Sequence, residues 1–286
     1  MEKKINSKYS VFGGTGFVGS NFCRKFNKNI ILQTRDERIP KTNNILYLIS
    51  TVHNFNIFED IKLDVETNLS ILCEVLDNCR DENIVFNFIS SWFVYGDCAL
   101  PATEETFCKP KGFYSITKKT AEDLLITFCE TYNLKYRIIR LCNVLGGGDK
   151  KNSLKKNAIT YMINLLKNNK DVFLYHNGNQ LRDVMHVDDV CDAIQLICDK
   201  GNYNEIYNIS SGKPTKIKEI IYLGRDLLNS NSIIINREVP RLNSASNIKD
   251  FWMDNSKLLK LGFKQNYSLQ ETIQDLCSNK YNSIFT

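Results

Sequence analysis

Apolar positions in the first half of the chain fall into short runs separated by amphipathic stretches. YSVF, IIL, ILYLIS, IVFNFIS and YRIIRL have the length and composition of buried strands, and residues 20–26, 65–79 and 114–132 carry the periodicity of helices between them. Strands alternating with helices in this way predict a parallel sheet covered on both faces. After Gly148 the rhythm changes to a helix over 158–167, short strands around Phe173 and Ile206, and helices over 187–199 and 217–228. The expected fold class is α/β: a doubly wound parallel sheet followed by a smaller, irregular C-terminal part that completes a cleft at the carboxyl ends of the strands.

The pattern breaks its own rhythm once. Between the second strand, ending near Asp36, and the next, starting at Ile45, lie eight residues, 37–44. A parallel crossover with its helix needs about a dozen residues or more, whereas eight extended residues span roughly 27 Å, enough for a loop to return along the sheet. One edge strand is therefore expected to be missing, and a regular strand within this stretch would refute that.

Composition removes several classes of function. A chain of 286 residues with 43% hydrophobic and 24% charged residues is ordinary for a globular protein. The net charge of +5 is mild, with lysines and asparagines interspersed along the chain, so no nucleic-acid partner is expected. The densest basic stretch, DKKNSLKK (149–156), reads as a solvated loop or as an attraction for a phosphorylated ligand. No run approaches the ~18 apolar residues of a membrane span and the start lacks a signal-peptide pattern, so no membrane association and a cytoplasmic location are expected. The ten cysteines are scattered without a CxxC pair, and His53, His176 and His186 show no metal-ligand spacing; reduced thiols and no metal follow.

The first candidate for chemistry is VFGGTGFVGS, which follows the first strand and opens a helix. Gly13, Gly16 and Gly19 are spaced as a dinucleotide loop requires: a tight turn, close approach of backbone to pyrophosphate, and close helix packing, with phosphates at the helix N-terminus. Gly13, Gly16, Phe17, Val18 and Gly19 are the candidate cofactor contacts there, which makes the sheet Rossmann-type. Residues 1–147 are then expected to bind the dinucleotide and 148–286 mainly the substrate, with 184–211 returning to the cofactor domain. At the end of the second strand, where an NAD site carries a ribose-binding carboxylate, ILQTRDER places Gln33 and Thr34, then Arg35 and Asp36. Arg35 can fork onto a 2′-phosphate, which favours NADP, while Asp36 leaves NAD open.

The second candidate is YSITK, which puts Tyr114 and Lys118 four apart on one helix face. An adjacent ammonium and a cationic nicotinamide favour the phenolate, which suits Tyr114 to exchange a proton with a hydroxyl. Upstream, ISSWFVYG ends an apolar run with Ser90 and Ser91 and follows them with Trp92 and Phe93, so the serine has no acid, base or thiol beside it.

GGTGFVGS, SSWFVYG, YSITK, RLCNVLGGGD, LRDVMHVDD, YNISSGKP and WMDNSKLLKLGF together resemble, in order and spacing, the extended short-chain dehydrogenases/reductases of the NAD-dependent epimerase/dehydratase family that act on nucleotide sugars. The resemblance implies that Ser91 holds the reacting hydroxyl, Tyr114 exchanges its proton, and Lys118 binds the nicotinamide ribose. It further implies that Asn143, Arg182 and Arg241 line the nucleotide-diphosphate pocket, and that Asn68 props the catalytic region. Asp183, His186 and Asp188 read as fold-fixing residues that cap the helix beginning near Val187. Ser50 and Thr51, in ILYLIST, stand where the family usually has an alanine pair, so they offer extra hydrogen bonds near the cofactor. The resemblance also implies a homodimer through the helices 65–79 and 114–132.

Family members that eliminate water carry an acid and a carboxylate base directly after this serine, and C3/C5 epimerases carry a cysteine there. Trp92 and Phe93 disfavour both, although Cys142 keeps a thiol within reach of the pocket. What remains is hydride transfer at C4 of a nucleotide-diphosphate sugar, by a 4-ketoreductase or 4-dehydrogenase, with a 4-epimerase as the alternative and a non-catalytic dinucleotide sensor as the distant one. Trp92 and Phe93 either floor the sugar site with apolar surface or pack beneath the sheet end.

Overall fold

The apolar runs of the first half assemble into one parallel sheet. A computed structural model of the chain describes residues 8–54, 56–81, 83–147, 157–238 and 248–278; the basic stretch 149–156 and Arg241 lie outside them. The six strands are β1 (Tyr9–Phe12), β2 (Ile30–Leu32), β3 (Asn44–Tyr47), β4 (Val85–Ser91), β5 (Lys135–Leu141) and β9 (Glu205–Ile209), in the order β2-β1-β3-β4-β5-β9. All neighbours run parallel. Every residue of β4 is buried, as a central parallel strand covered on both faces must be.

Among the described residues the outermost strand of a full Rossmann half is absent, as the short connection predicts, and β2 is the edge. β3 begins at Asn44, one residue ahead of the expected Ile45. The loop before it is held down by a side chain of the sheet itself. The buried Ser10 hydroxyl on β1 accepts the backbone N–H groups of Lys41 and Thr42, both at 2.8 Å, so the returning chain keeps its polar groups paired without a strand.

Helices cover both faces. α1 (Phe17–Lys25) and α6 (Val187–Lys200) pack one core around Phe22, Val190, Ile194 and Ile197. On the other face the stretch read as one helix over 65–79 runs as α2 (Leu63–Val65), a π turn (Glu66–Ser70) and α3 (Ile71–Asp77). It packs with α4 (Phe113–Thr131) over Leu72, Val75, Ala121 and Leu125. Each such apolar side chain taken fully out of water contributes about 1.5–3 kcal/mol.

Glu122 of α4 and Arg140 of β5 form a two-pronged ion pair at 3.1 and 2.7 Å with both side chains buried. Burial pulls the Arg140 guanidinium down, but the Glu122 carboxylate more than offsets this, so the pair stays charged. Arg140 also lies 4.6 Å from the centroid of Tyr95, whose hydroxyl donates to Asn208 of β9 at 2.7 Å. α4 is thereby tied to two strands.

Of the remaining strands, the sequence pattern predicts only the one around Phe173. β6 (Asn143–Leu145), β8 (Leu181–His186) and β10 (Pro214–Lys216) form a three-stranded sheet, and β7 (Val172–Tyr175) pairs with β11 (Ile234–Arg237). Beside them α5 (Ala158–Lys167), α7 (Ile217–Leu228) and α9 (Leu269–Cys277) enclose a third core, while α8 (Ser256–Lys260) leans on β9.

Candidate active site

The glycine loop bridges β1 and α1. Gly13 has φ +79°, and a Cβ there would stand 2.8 Å from the backbone of Leu48 and Ile49, so the loop lies flat on the end of β3. A Cβ at Gly19 would meet the Gly13 carbonyl at 2.4 Å, whereas one at Gly16 would have only that carbonyl within 4 Å, at 3.4 Å. The loop is thus packed inward and open outward. Gly16 leaves the N-terminus of α1 without a side-chain cap, and the first turn holds no acidic residue, so the N–H groups at Phe17 and Val18 remain available to an anion. This is a cradle that fits a pyrophosphate.

At the carboxyl end of β2, Gln33 is 3% exposed, and neither atom of its side-chain amide has a hydrogen-bond partner. Leaving such a group unpaired costs about 1–3 kcal/mol. Arg35 and Asp36 are exposed on the loop that follows, where Arg38 pairs with Glu74.

Three elements converge on the catalytic candidates. β4 ends in Ser91, whose hydroxyl accepts the Phe93 N–H at 3.4 Å and caps the short turn Trp92–Val94. α4 starts at Phe113 with Gly112 before it, and its cap comes from across the fold: Asn54 accepts the Ser115 N–H at 3.2 Å. That places Tyr114 beside the end of β4. Burial raises the Tyr114 phenol to about 12, hydrogen bonds with Ser91 and then Ser50 act to lower it, and the Asp64 carboxylate adds to the rise. The charge that bears on the phenol here is Asp64, while the Lys118 ammonium is turned to the sheet.

Lys118 is 1% exposed, donates to the Ile89 carbonyl at 2.8 Å and sits 4.0 Å from the Phe88 ring centroid. Burial lowers its ammonium to about 7, and Glu122 one turn on works against that fall. Lys118 is therefore poised between its two charge states at neutral pH.

Asn68, on the π turn, is 1% exposed and fully bonded. Its Oδ1 accepts from the Ser50 hydroxyl (3.1 Å) and the Thr51 N–H (2.8 Å), and its Nδ2 donates to Thr51 and Thr117, both at 2.9 Å. It joins the loop after β3 to α4. Sequence reasoning singled out Asn68 and Ser50 but missed Asn54, Asp64 and Thr117, whose only signal is a polar side chain in a run that buries its neighbours.

The substrate-side candidates divide. Trp92 is 4% exposed, its ring stacked on Phe93 (4.0 Å between centroids) and on Phe251 (4.7 Å). It packs beneath the sheet end. Phe93 keeps partial exposure and meets Tyr114 edge-on at 5.7 Å. Asn143 donates to the Asp183 carbonyl at 3.0 Å, joining β6 to β8. Arg182 donates to the carbonyls of Leu181, Ile248 and Lys249 at 2.7–2.8 Å, and burial lowers its guanidinium to about 10, still protonated at neutral pH. Asp183 accepts from Ser210, Ser211 and Met253, and the His186 Nδ1 accepts the Asp188 N–H at 3.1 Å to cap α6. Burial and then Asp183 push the Cys142 thiol well up, so it supplies no thiolate at neutral pH.

Residues 45–210, more than half of the chain, match the model of the NAD dependent epimerase/dehydratase family. The chain belongs to this family. A dTDP-D-glucose 4,6-dehydratase of Dictyostelium discoideum is 24% identical over 71% of this chain, which spans 58% of that relative's length. CDP-abequose synthase of Salmonella typhimurium is 25% identical over 93% of this chain and 96% of its own. Among solved structures, UDP-glucose 4-epimerase of Thermotoga maritima with UDP-glucose superposes with a TM-score of 0.85 at 20% identity, covering 96% of this chain and 98% of that one. RMD of Pseudomonas aeruginosa complexed with NADPH superposes with a TM-score of 0.83 at 21% identity, covering 97% and 100%. Both likenesses show the extended Rossmann-like fold of such enzymes.

A buried ammonium held down to about 7 costs folding free energy wherever it is protonated. Because the folded value lies below the unfolded one, this cost is present in full below about pH 7 and is relieved as pH rises toward 10.5. Lys118→Met is therefore expected to stabilise the protein at pH 6 by roughly 1 kcal/mol, about 3 °C in Tm, with the gain vanishing near pH 10. Thermal denaturation across that range checks it; destabilisation at pH 6 would contradict it.

Proposed function

We propose that this protein transfers hydride at C4 of a nucleotide-diphosphate sugar, as an NADPH-dependent 4-ketoreductase or, run in reverse, a 4-dehydrogenase. The observation that carries the reading is the equipment at the end of β4: Ser91 at its last position with Tyr114 edge-on to Phe93 beside it, Lys118 one turn further on, and two aromatic rings where a carboxylate or thiol would be needed to move a ring proton. That set suffices for one carbinol carbon and no more.

When bound, the nicotinamide supplies or accepts the hydride. In the reductive direction Ser91 holds the carbonyl oxygen and Tyr114 gives that oxygen its proton, so that one hydride and one proton convert the ketone to the alcohol. In the oxidative direction the phenolate takes the hydroxyl proton. Lys118, whose ammonium is turned to the Ile89 carbonyl, is the residue that would bind the ribose of the cofactor. Phe93, half-exposed beside the phenol, gives the sugar site an apolar side suited to a 6-deoxy or otherwise modified sugar.

The cofactor preference rests on Gln33 and Arg35. A neutral amide stands where an NAD site has its ribose carboxylate, so nothing there repels a 2′-phosphate, and Arg35 follows two residues on. The second reading, a 4-epimerase that returns hydride to the other face, is supported by the likeness to UDP-glucose 4-epimerase and uses the same residues.

A homodimer is part of the proposal, because α2 and α4 leave Leu63, Val65, Ile116 and Leu124 exposed. Light scattering should give twice the mass of one chain, and Leu124→Asp should give monomers; a wild-type monomer at working concentration removes this part. Tyr114→Phe should lower turnover of 4-keto nucleotide sugars by about 10²–10⁴, and unchanged turnover would remove the catalytic role assigned to Tyr114. Fluorescence titration should show NADPH binding at least about tenfold more tightly than NADH, with Gln33→Asp reversing the order. Tightly retained NAD in the purified protein would instead favour the epimerase.

A further inference from the structure

The peptide unit that follows Tyr114 is held at both ends. Its N–H, on Ser115, donates to Asn54 Oδ1 at 3.2 Å, and its C=O, on Tyr114, accepts from Thr117 Oγ1 at 3.1 Å. Thr117 is held in turn by Asn68 Nδ2 at 2.9 Å. Asn54, itself buried, also donates from Nδ2 to Ser115 Oγ at 3.0 Å. A backbone N–H can only donate, so the amide oxygen must face it, and the orientation of the Asn54 carboxamide is determined by its partners. The peptide group is planar, so pinning both of its polar atoms fixes the backbone on the far side of the Tyr114 Cα and with it the direction in which the phenol leaves the helix.

α4 cannot do this for itself. Its N-cap is Gly112, with φ +92° and no side chain, and a Cβ there would stand 2.5 Å from Asn54 Oδ1. The Asn54 carboxamide thus fills the space of a capping side chain and takes one of the free N–H groups of the first turn. It does so from a loop 61 positions earlier in the chain.

The start of that same loop carries the glycine turn. Gly13 lies so close over Leu48 and Ile49 that a Cβ would stand 2.8 Å from their backbone. Between the two contacts the loop is fastened at Thr51, whose N–H donates to Asn68 Oδ1 at 2.8 Å; beyond Asn54 it is fastened by Asn56 Nδ2, which donates to Asp64 Oδ1 at 2.8 Å. One short run of chain therefore touches the cofactor turn at one end and the first turn of α4 at the other.

Reduction of a ketone brings hydride to the carbon and a proton to its oxygen from two separately held groups, and the rate depends on how well these are aligned. We propose that Asn54 is a positioning residue for Tyr114: it fixes the direction of the phenol relative to the glycine turn that holds the hydride-carrying cofactor.

Asn54 can have this role only if Tyr114 is the proton donor and acceptor proposed above, and the two are tested apart. Turnover of a 4-keto nucleotide sugar is measured for wild type, Asn54→Ala, Asn54→Leu and Asn54→Asp, with kcat expressed per NADPH-binding site so that unfolded protein does not count. The Kd of NADPH is taken by fluorescence titration, and the solvent deuterium isotope effect on kcat is recorded for each. Loss of the acceptor in Asn54→Ala and Asn54→Leu is expected to lower kcat about tenfold to a hundredfold, with KM and the Kd of NADPH within about twofold of wild type. The solvent isotope effect should rise in both, because proton delivery from a displaced phenol then limits the rate. Asn54→Asp keeps an acceptor for the Ser115 N–H and should recover most of kcat. Wild-type kcat per site in both Ala and Leu, a loss without a change in the isotope effect, a loss matched by weaker NADPH binding, or no recovery with Asp would overturn the role assigned to Asn54. If Tyr114→Phe retains turnover, it is the function reading that falls.

Discussion

An ammonium group cannot be taken out of water without partners, and Lys118 imposes that condition on the whole cofactor half of the molecule. Its nitrogen reaches the Ile89 carbonyl within the central strand, with Glu122 one helical turn away. For this to be possible α4 must lie against β4 with little slack. Glu122 provides the fixation by pairing with Arg140 on the adjoining strand, and Arg140 in turn lies over Tyr95, which bonds to β9. Removing one member of such a buried pair typically costs about 3–5 kcal/mol. The same chain of contacts that makes the lysine tolerable also places Tyr114 beside Ser91.

The site is consequently expensive where it is functional. The chain buries a lysine near its titration point, a phenol raised to about 12, and an unpaired glutamine amide at the end of β2. Such groups are stabilising only when something else occupies the cleft with them. An open glycine cradle and an uncapped helix N-terminus point the same way, toward an anionic cofactor whose arrival supplies the missing partners.

Two departures from the usual pattern act on that edge and that phenol. The shortened connection at 37–44 removes a strand, and the chain closes the gap with the Ser10 hydroxyl rather than with a ladder. Ser50 and Thr51 place hydroxyls where small apolar residues are expected, and the π turn presents Asn68 to both. Polar side chains thus do locally what backbone or bulk does elsewhere in such folds.

Much of this was legible along the chain. Alternation of apolar runs with helical stretches required a parallel sheet, the eight residues at 37–44 were too few for a crossover, and YSITK put Tyr114 and Lys118 on one face because four residues make about one turn. These are properties of local spacing, and local spacing survives folding. What only the tertiary structure decided involves residues far apart in the chain: Asn54 capping α4, Asp64 bearing on Tyr114, the burial of Trp92 against Phe251, and Arg182 giving its donors to Ile248 and Lys249. A side chain's charge, exposure and hydrogen-bond partners are set by what the fold brings to it from elsewhere, and sequence spacing carries no record of that.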